Sequence, residues 1–224
     1  MFLRHLLLCP LSITRALEGA KRFFGKQSFQ RKIISPDMLR SFSNLITPKI
    51  SFPRLRTIWR VFIEFFGLLR FNEVAALTFN DIIWTDKGMD IIIPRFKTDQ
   101  HGKGAWVSIS HNKNTKICPV KLTHLYLRRL NYTSGFLMPD PKSPLRYNTA
   151  LSDFKSLLKA IDIDPSGYGE HSGRRGGTTA AASNGASILE LMLQGRWSTE
   201  EMPRLYTDNA KKVRREFAAI LTKI

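Results

Sequence analysis

Apolar residues recur along most of the chain at intervals of three and four positions, the spacing that places them on one face of a helix. Ser35-Pro36-Asp37 is typical of a helix start, and Gly185 and Gly195 are typical of helix ends. The pattern predicts helices at about 13–24, 36–46, 54–68, 119–131 and 148–160, with three further short helices within 172–215.

The spacing changes in two segments, 89–94 and 105–110, which are short, rich in β-branched residues and predicted to be strands. A polar segment with two glycines lies between them, so the two strands are expected to form a hairpin. The predicted fold class is therefore α+β, mainly α-helical with a small antiparallel β-sheet.

The segment 67–82 contains a candidate site residue at a corner between two predicted helices. An apolar helix ends near Gly67, and Asn72 is expected to cap a second helix that carries Glu73 in its first turn. Arg70 lies between them, where two rigid elements would hold its guanidinium at a cleft. Spacing alone favours a plainer interpretation, in which Arg70 pairs with Glu73 on the surface.

A second segment, 171–207, combines several chemically active residues. His171 and Arg174 are three positions apart at a predicted helix start, so they can face one spot at the positive end of that helix. Gly176, Gly177 and the alanines at 180–182 leave this helix with few bulky side chains, so that another element can pack close to it. Tyr206 follows on a later short helix.

Pro203 complicates that last helix, because it lies three residues before Tyr206. Ser198 with Glu201 matches a capping box, and a helix that began at Ser198 would place Pro203 too deep to be tolerated. We therefore expect a break near 202–203, with Tyr206 in the first turn of a restarted helix.

The composition indicates that the protein has a charged binding partner. The chain has 35 Lys and Arg residues against 18 Asp and Glu, a formal net charge of +17, and 43% hydrophobic residues, enough for a sizeable core. A folded protein with such a surplus repels itself, so a polyanion is the natural partner: nucleic acid first, then an anionic membrane, then an assembly such as the ribosome. No apolar run approaches the length of about 20 residues that a membrane helix needs.

Disulfide-stapled and zinc-stabilised folds are excluded. The two cysteines, Cys9 and Cys118, are far apart, and the five histidines have no partner at metal-ligand spacing. No phosphate-binding P-loop is visible either, so neither a metal nor another cofactor is expected.

Both chemically active segments resemble the tyrosine recombinase (phage integrase) family. The family's first box is similar to 67–73, with Leu77 and Asp81 following, and its His-x-x-Arg box matches His171 and Arg174. Its later Gly-His/Trp element and the nucleophile nine residues beyond match Gly195-Arg196-Trp197 and Tyr206, and Lys97 fits its hairpin lysine, with Lys103 as the rival. The six positions that the resemblance implies as catalytic are Arg70, Lys97, His171, Arg174, Trp197 and Tyr206.

The resemblance also implies an organisation and assembly. Residues 36–224 would be the catalytic domain, and 1–35 a remnant of the N-terminal, SAM-like core-binding domain plus linker, in a chain that is truncated or decayed. The partner would be double-stranded DNA, held by a homo-oligomer, a tetramer on DNA. The amphipathic segment after Tyr206 would either pack on its own domain or be exchanged with a neighbouring protomer.

The implied chemistry is metal-independent breakage and rejoining of DNA strands through a 3′-phosphotyrosyl link. Arg70 and Arg174 would hold the phosphate oxygens, and Tyr206 would attack the phosphorus. Lys97 would protonate the leaving 5′-oxygen, and His171 would accept the tyrosine proton or hold an oxygen. Trp197 would donate its indole N–H.

Three alternatives stay open. A type IB topoisomerase looks similar in its arginine, lysine, histidine and tyrosine set, although the small size and the residue order favour a recombinase. A catalytically inactive DNA-binding derivative would retain the charge without the reaction. A metal-dependent DDE-type integrase is possible in principle, but Asp81, Asp86, Asp90 and Asp99 are scattered.

Overall fold

The computed structural model describes residues 32–94, 104–140 and 142–207. The chain divides into two units, Met1–Gln30 and Arg31–Ile224, and every described residue belongs to the second. The helix predicted at about 13–24 and the segment after Thr207 lie outside the described residues.

Most helices lie within about three residues of their predicted bounds. Ser35 caps the first helix as expected, because its hydroxyl accepts a hydrogen bond from the backbone N–H of Met38 at 3.2 Å, and Pro36 is the first helical residue. The helices are α1 Pro36–Asn44, α2 Phe52–Phe66, α3 Phe71–Ala75, α4 Pro119–Arg128, α5 Tyr147–Lys159, α6 Ser172–Ser183, α7 Ile188–Gly195 and α8 Glu201–Thr207.

The expected hairpin is present within a larger sheet. Strands β2 (Gly88–Ile93) and β3 (Ala105–Ser110) pair antiparallel, with Ile93 opposite Ala105, and β1 (Ile82–Thr85) pairs with the other edge of β2. The third strand was not predicted, because three of its four residues are exposed and it shows no alternation of buried and exposed side chains. A second, two-stranded sheet pairs β4 (Pro139–Asp140) with β5 (Ser143–Pro144).

Helix α2 is the centre of the core. Every residue from Leu55 to Phe65 is buried, so the helix is covered on all sides, by α4, α5 and α6. Trp59 stacks on Tyr126 of α4 with ring centroids 4.4 Å apart and donates its indole N–H to Thr123 at 3.0 Å. Among the described residues, no helix is long and apolar enough to cross a membrane.

Helix α6 packs unusually close to its neighbours, as its small residues predicted. A Cβ atom on Gly176 would lie 2.1 Å from the carbonyl oxygen of Ile34, and one on Gly177 would lie 2.0 Å from that of Phe65. Both distances are far below contact, so any larger residue would push α6 away from α2 and from the extended segment before α1. The glycines therefore set the position of the helix that carries Arg174.

A buried charged cluster ties the beginning of α6 to α2. Arg60 donates to Glu64 at 2.6 Å and to Glu170, and all three side chains are at most 2% exposed. One guanidinium cannot offset two desolvated carboxylates. Burial, with a smaller contribution from Glu170, therefore raises the pKa of Glu64 to about 8 against the opposing pull of Arg60, and burial also raises the pKa of Glu170.

This cluster makes the stability of the domain depend on pH. The folded state keeps the proton on Glu64 up to about pH 8, whereas an unfolded chain releases it near the ordinary value of 4.5. The stability contributed by this group is complete below pH 4.5 and is lost as the pH rises to about 8. We expect the free energy of unfolding to fall by about 1 kcal/mol per pH unit in this window, as measured by urea unfolding.

The Glu64→Gln variant is the matched comparison, because it mimics the protonated carboxyl and does not titrate. It should remove most of this slope. A variant whose unfolding free energy still falls with the wild-type slope between pH 5 and 8 would show that another group is responsible.

Candidate active site

The corner between α2 and α3 is built around a strained residue. Leu68 has a φ of 48°, a left-handed conformation that is costly for a bulky side chain. It turns the chain so that Arg70 takes the N-cap position of α3 and Glu73 its third helical position. Asn72, which was expected to be the cap, lies inside the helix, and α3 ends at Ala75, sooner than the apolar pattern suggested.

The Glu73 carboxylate is the centre of the site. One oxygen accepts the backbone N–H of Arg70 at 2.8 Å, and the other accepts the Arg70 guanidinium at 2.7 Å. The pair expected from spacing is therefore present, but its surface location was wrong, because the Glu73 side chain is only 4% exposed and that of Arg70 19%. A carboxylate desolvated to this degree needs compensating cations.

Arg174 is held from three sides. Its guanidinium donates to the carbonyl oxygen of Leu68 at 2.6 Å and to that of Gly195 at 2.5 Å. The indole of Trp197 lies with its ring centroid 4.4 Å from the guanidinium carbon, a cation–π contact. The nearest Glu73 oxygen is 4.0 Å away, so Arg174 is attracted by Glu73 but is oriented by carbonyls.

The turn after α7 supplies two of these contacts. Gly195 ends the helix as expected, and its lack of a side chain is needed, because a Cβ would lie 2.1 Å from the Trp197 ring. The left-handed residue of the turn is Arg196, with a φ of 55°. Its buried guanidinium donates to Glu73 at 2.6 Å, to the Leu68 carbonyl at 3.2 Å and to the Gln194 carbonyl at 2.9 Å.

These contacts form a pocket in which guanidiniums outnumber carboxylates among the described residues. Three guanidinium groups, those of Arg70, Arg174 and Arg196, surround one carboxylate, and the formal charges of these four groups sum to +2. The pKa of Arg196 is lowered, because burial, helped by repulsion from Arg70, outweighs the attraction of Glu73. An anion entering the pocket would relieve this imbalance, and paired guanidiniums suit a phosphate.

Helix α8 carries Tyr206 and packs against α6 and α7, next to this pocket. It begins at Glu201, so Ser198 is not its cap, and the break expected near 202–203 is wrong. Pro203 is the third residue of an uninterrupted helix, where its missing N–H costs nothing. The Tyr206 side chain lies outside what the structure describes.

Comparison with known proteins now gives this arrangement a context. No family model matches the chain. A curated relative, the integrase/recombinase XerD homolog of Selenomonas ruminantium, is 27% identical over 155 residues, which are 66% of this chain and 46% of that protein. The chain thus spans about half the length of the curated relative it matches.

Solved structures with the same fold include several recombinases on DNA. XerH site-specific recombinase bound to palindromic difH substrate gives a TM-score of 0.66 at 17% identity, over 86% of this chain and 54% of that one. The Tn1549 transposon integrase in complex with circular intermediate DNA gives a TM-score of 0.61 at 16% identity. This match covers 95% of this chain and 81% of that one. A lambda integrase dimer bound to a COC′ core site gives a TM-score of 0.61 at 13% identity. This match covers 90% of this chain and 58% of that one.

The described part of the chain has the fold of these recombinases and integrases. This is the fold of tyrosine recombinase catalytic domains, mainly helical with a small antiparallel sheet, as the sequence predicted.

The fold brings together three of the six candidate residues. Arg70, Arg174 and Trp197 meet around Glu73 and Leu68. His171 is exposed and takes the N-cap position of α6, three residues before Arg174. Lys97 and its rival Lys103 belong to the connection between β2 and β3, outside the described residues.

Sequence reasoning missed the contacts that Arg196 makes in this pocket. A basic residue directly after a helix-ending glycine resembles an ordinary surface cation, and a left-handed backbone is not expected of arginine. The available signal was the adjoining Trp197, because an aromatic residue beside the arginine indicates that this turn is not fully exposed to solvent. Within the described ranges, no group of three or more His, Cys, Asp or Glu residues is arranged to hold a metal ion.

The Glu73→Gln variant should be strongly destabilised, because three guanidiniums would then face one another without a carboxylate. We expect a loss of about 3 kcal/mol in the free energy of unfolding, measured with urea. Glu200→Gln is the matched control, since it breaks the Glu200–Arg204 pair, whose side chains are more than half exposed, and should change little. Equal losses in the two variants would contradict a central role for Glu73.

Proposed function

We propose that this chain is the catalytic part of a site-specific recombinase or integrase that cleaves and rejoins double-stranded DNA through a 3′-phosphotyrosyl intermediate. The observation that carries the proposal is the pocket formed by Arg70, Arg174 and Arg196 around Glu73, beside the helix that bears Tyr206. A rigid cluster of guanidiniums beside a helix that carries a tyrosine is suited to phosphoryl transfer without a metal.

In the first step, the phenolic oxygen of Tyr206 attacks the phosphorus in line, and the bond from phosphorus to the 5′-oxygen breaks. His171 accepts the phenolic proton, and Lys97 gives a proton to the departing 5′-oxygen. Arg70 and Arg174 bind the non-bridging oxygens, where charge spreads in the transition state. A 5′-hydroxyl of a second strand then reverses the step, so no bond energy is lost and no nucleotide cofactor is consumed.

The orientation of Arg174 supports its assignment to phosphate. Its side chain is 6% exposed and is fixed by two main-chain carbonyls, so no reorganisation is needed when substrate arrives. Trp197 stacks on the same guanidinium and shields it from water, which strengthens its interaction with an anion. Trp197 is also assigned an indole N–H contact to the phosphate.

The charge of the whole chain supports DNA as the partner. A surplus of 17 positive charges far exceeds what one phosphate needs, and residues 1–50 contain nine basic residues against two acidic ones. These charges would contact the DNA backbone and set affinity without choosing a sequence. We assign residues 1–35 to the end of a core-binding domain and linker, and residues 36–224 to the catalytic domain.

The printed names of the relatives support the same assignment. XerH is bound to its difH substrate in a post-cleavage complex, the Tn1549 protein is a transposon integrase with DNA, and lambda integrase is a dimer on a core site. For this chain we propose assembly into a tetramer on DNA.

An apolar groove supports assembly. It has a volume of about 480 Å³ and lies between α1, α2, α6 and α7, and its lining includes Leu39, Phe65, Phe66, Ile117, Ala181 and Leu191. The segment after Tyr206 has Val213, Phe217, Ile220 and Leu221 at helical spacing, an apolar face of matching character. We propose that this segment of one protomer occupies the groove of the next.

A covalent trap tests the reaction. The substrate is a pool of duplexes that carry a nick and, a few nucleotides away, a randomised segment, so that cleavage releases a short 5′-hydroxyl fragment and cannot be reversed. We expect an SDS-resistant protein–DNA adduct with the wild type and none with Tyr206→Phe. Arg174→Ala should lower the rate of adduct formation by about 100- to 1,000-fold, because it removes an electrostatic anchor of the transition state.

The outcomes separate the competing functions. DNA binding without an adduct would support an inactive DNA-binding derivative and refute the enzyme. A type IB topoisomerase would be supported if the protein forms the adduct and relaxes supercoiled plasmid but does not exchange strands between two duplexes selected from the pool. Loss of the adduct in EDTA would contradict metal-independent chemistry.

Truncation after Thr207 tests the proposed assembly. The shortened chain should still bind DNA but should lose higher-order complexes in analytical ultracentrifugation, because the groove of each protomer would lack its occupant. Leu191→Asp, which places a charge in the groove, should have the same effect. Complexes that survive both changes would show that other surfaces hold the protomers together.

A further inference from the structure

One buried arginine in the pocket has no assignment in the reaction proposed above. Arg196 is 8% exposed, and its guanidinium is enclosed by Glu73, the Leu68 carbonyl and the Gln194 carbonyl. Burying a guanidinium and holding its backbone at a φ of 55° are both costly for folding. A solvent-facing residue would serve as well if this position had only to end a helix.

The contacts of Arg196 join two separate parts of the chain. Glu73 and Leu68 belong to the corner that carries Arg70, whereas Gln194 and Arg196 belong to the turn that carries Trp197. Arg174 is held by both parts, through Leu68 and through Gly195. The distance between the two arginines assigned to phosphate is therefore set by how firmly this turn is fixed to that corner.

The charge of Arg196 has a second effect. Glu73 lies within 4.0 Å of both Arg70 and Arg174, so its carboxylate competes with any phosphate for those two cations. Arg196 binds the Glu73 oxygen nearer to Arg174 at 2.6 Å and offsets its charge. The other two guanidiniums then keep more of their attraction for an anion.

We propose that Arg196 is a positioning residue of the phosphate site, which clamps the Trp197 turn to the Glu73 corner and offsets the Glu73 carboxylate. The inference rests on the proposed function for its catalytic consequence, but its effect on anion binding and on Trp197 is independent of any reaction.

Arg196→Gly is the informative variant, because glycine adopts the left-handed backbone more readily than arginine and removes only the side chain. Inorganic phosphate binding should weaken by about tenfold, as expected when charge-assisted contacts are lost. The indole N–H resonance of Trp197, assigned with Trp197→Phe, should shift and broaden as the turn loosens. Adduct formation on the nicked duplex pool should slow by about 100-fold with DNA affinity nearly unchanged.

Two controls separate this role from general effects. Asp162→Gly relieves an exposed left-handed residue, with a φ of 58°, and Arg40→Ala removes one exposed positive charge. Neither change should alter phosphate binding or the Trp197 signal. Arg196→Lys, which keeps the charge without the forked donors, should recover part of the phosphate affinity but not the wild-type rate. The Arg196→Lys variant also tests the proposal if the Arg196→Gly variant does not fold.

The results also distinguish this inference from the proposed function. If the wild type forms no adduct but the phosphate and Trp197 effects appear, the function is wrong and the positioning role stands. If Arg196→Gly binds phosphate, shows the Trp197 signal and reacts like the wild type, the positioning role is refuted. A loss of rate matched by an equal loss of DNA affinity would also refute it.

Discussion

A single buried carboxylate, that of Glu73, determines how the pocket is organised. Like charges repel, and three guanidiniums would not stay together in a dry site without an anion between them. Glu73 meets this need with one negative charge against three positive ones, enough to gather the arginines but too little to neutralise them. The proposed phosphate site would use the remaining positive charge to bind an anion, so the stability of the cluster and the proposed chemistry have the same origin.

The rest of the fold holds the partners of Glu73 in place. Gly176 brings α6 against the segment before α1, and Gly177 brings it against the backbone of α2. The Arg60 cluster fixes Glu170, the residue before His171. The two glycines position the middle of the helix that carries Arg174, and the Arg60 cluster positions the chain just before that helix begins. Close backbone packing and buried charge thus combine to give the site a rigid frame.

Much of this architecture could be predicted from the sequence, because it depends on local patterns. Helical spacing, the Ser35-Pro36 start and the small residues of α6 each follow from neighbouring residues. The strand β1 and the start of α8 were missed or misplaced, because tertiary pairing decides them and their local signals are weak. Arg70, Arg174 and Trp197 were identified by their order along the chain, but the burial of Glu73 and the inward turn of Arg196 arise only when distant segments meet.

The carbonyl of Leu68 has a consequence for how such a site can change over generations. It accepts hydrogen bonds from both Arg174 and Arg196, and it belongs to the main chain. No change of codon at position 68 short of deletion removes that acceptor, although a substitution can alter the strain that aims it. A substitution of Arg174 or Arg196 therefore removes one donor but leaves the shared acceptor in place for the other arginine.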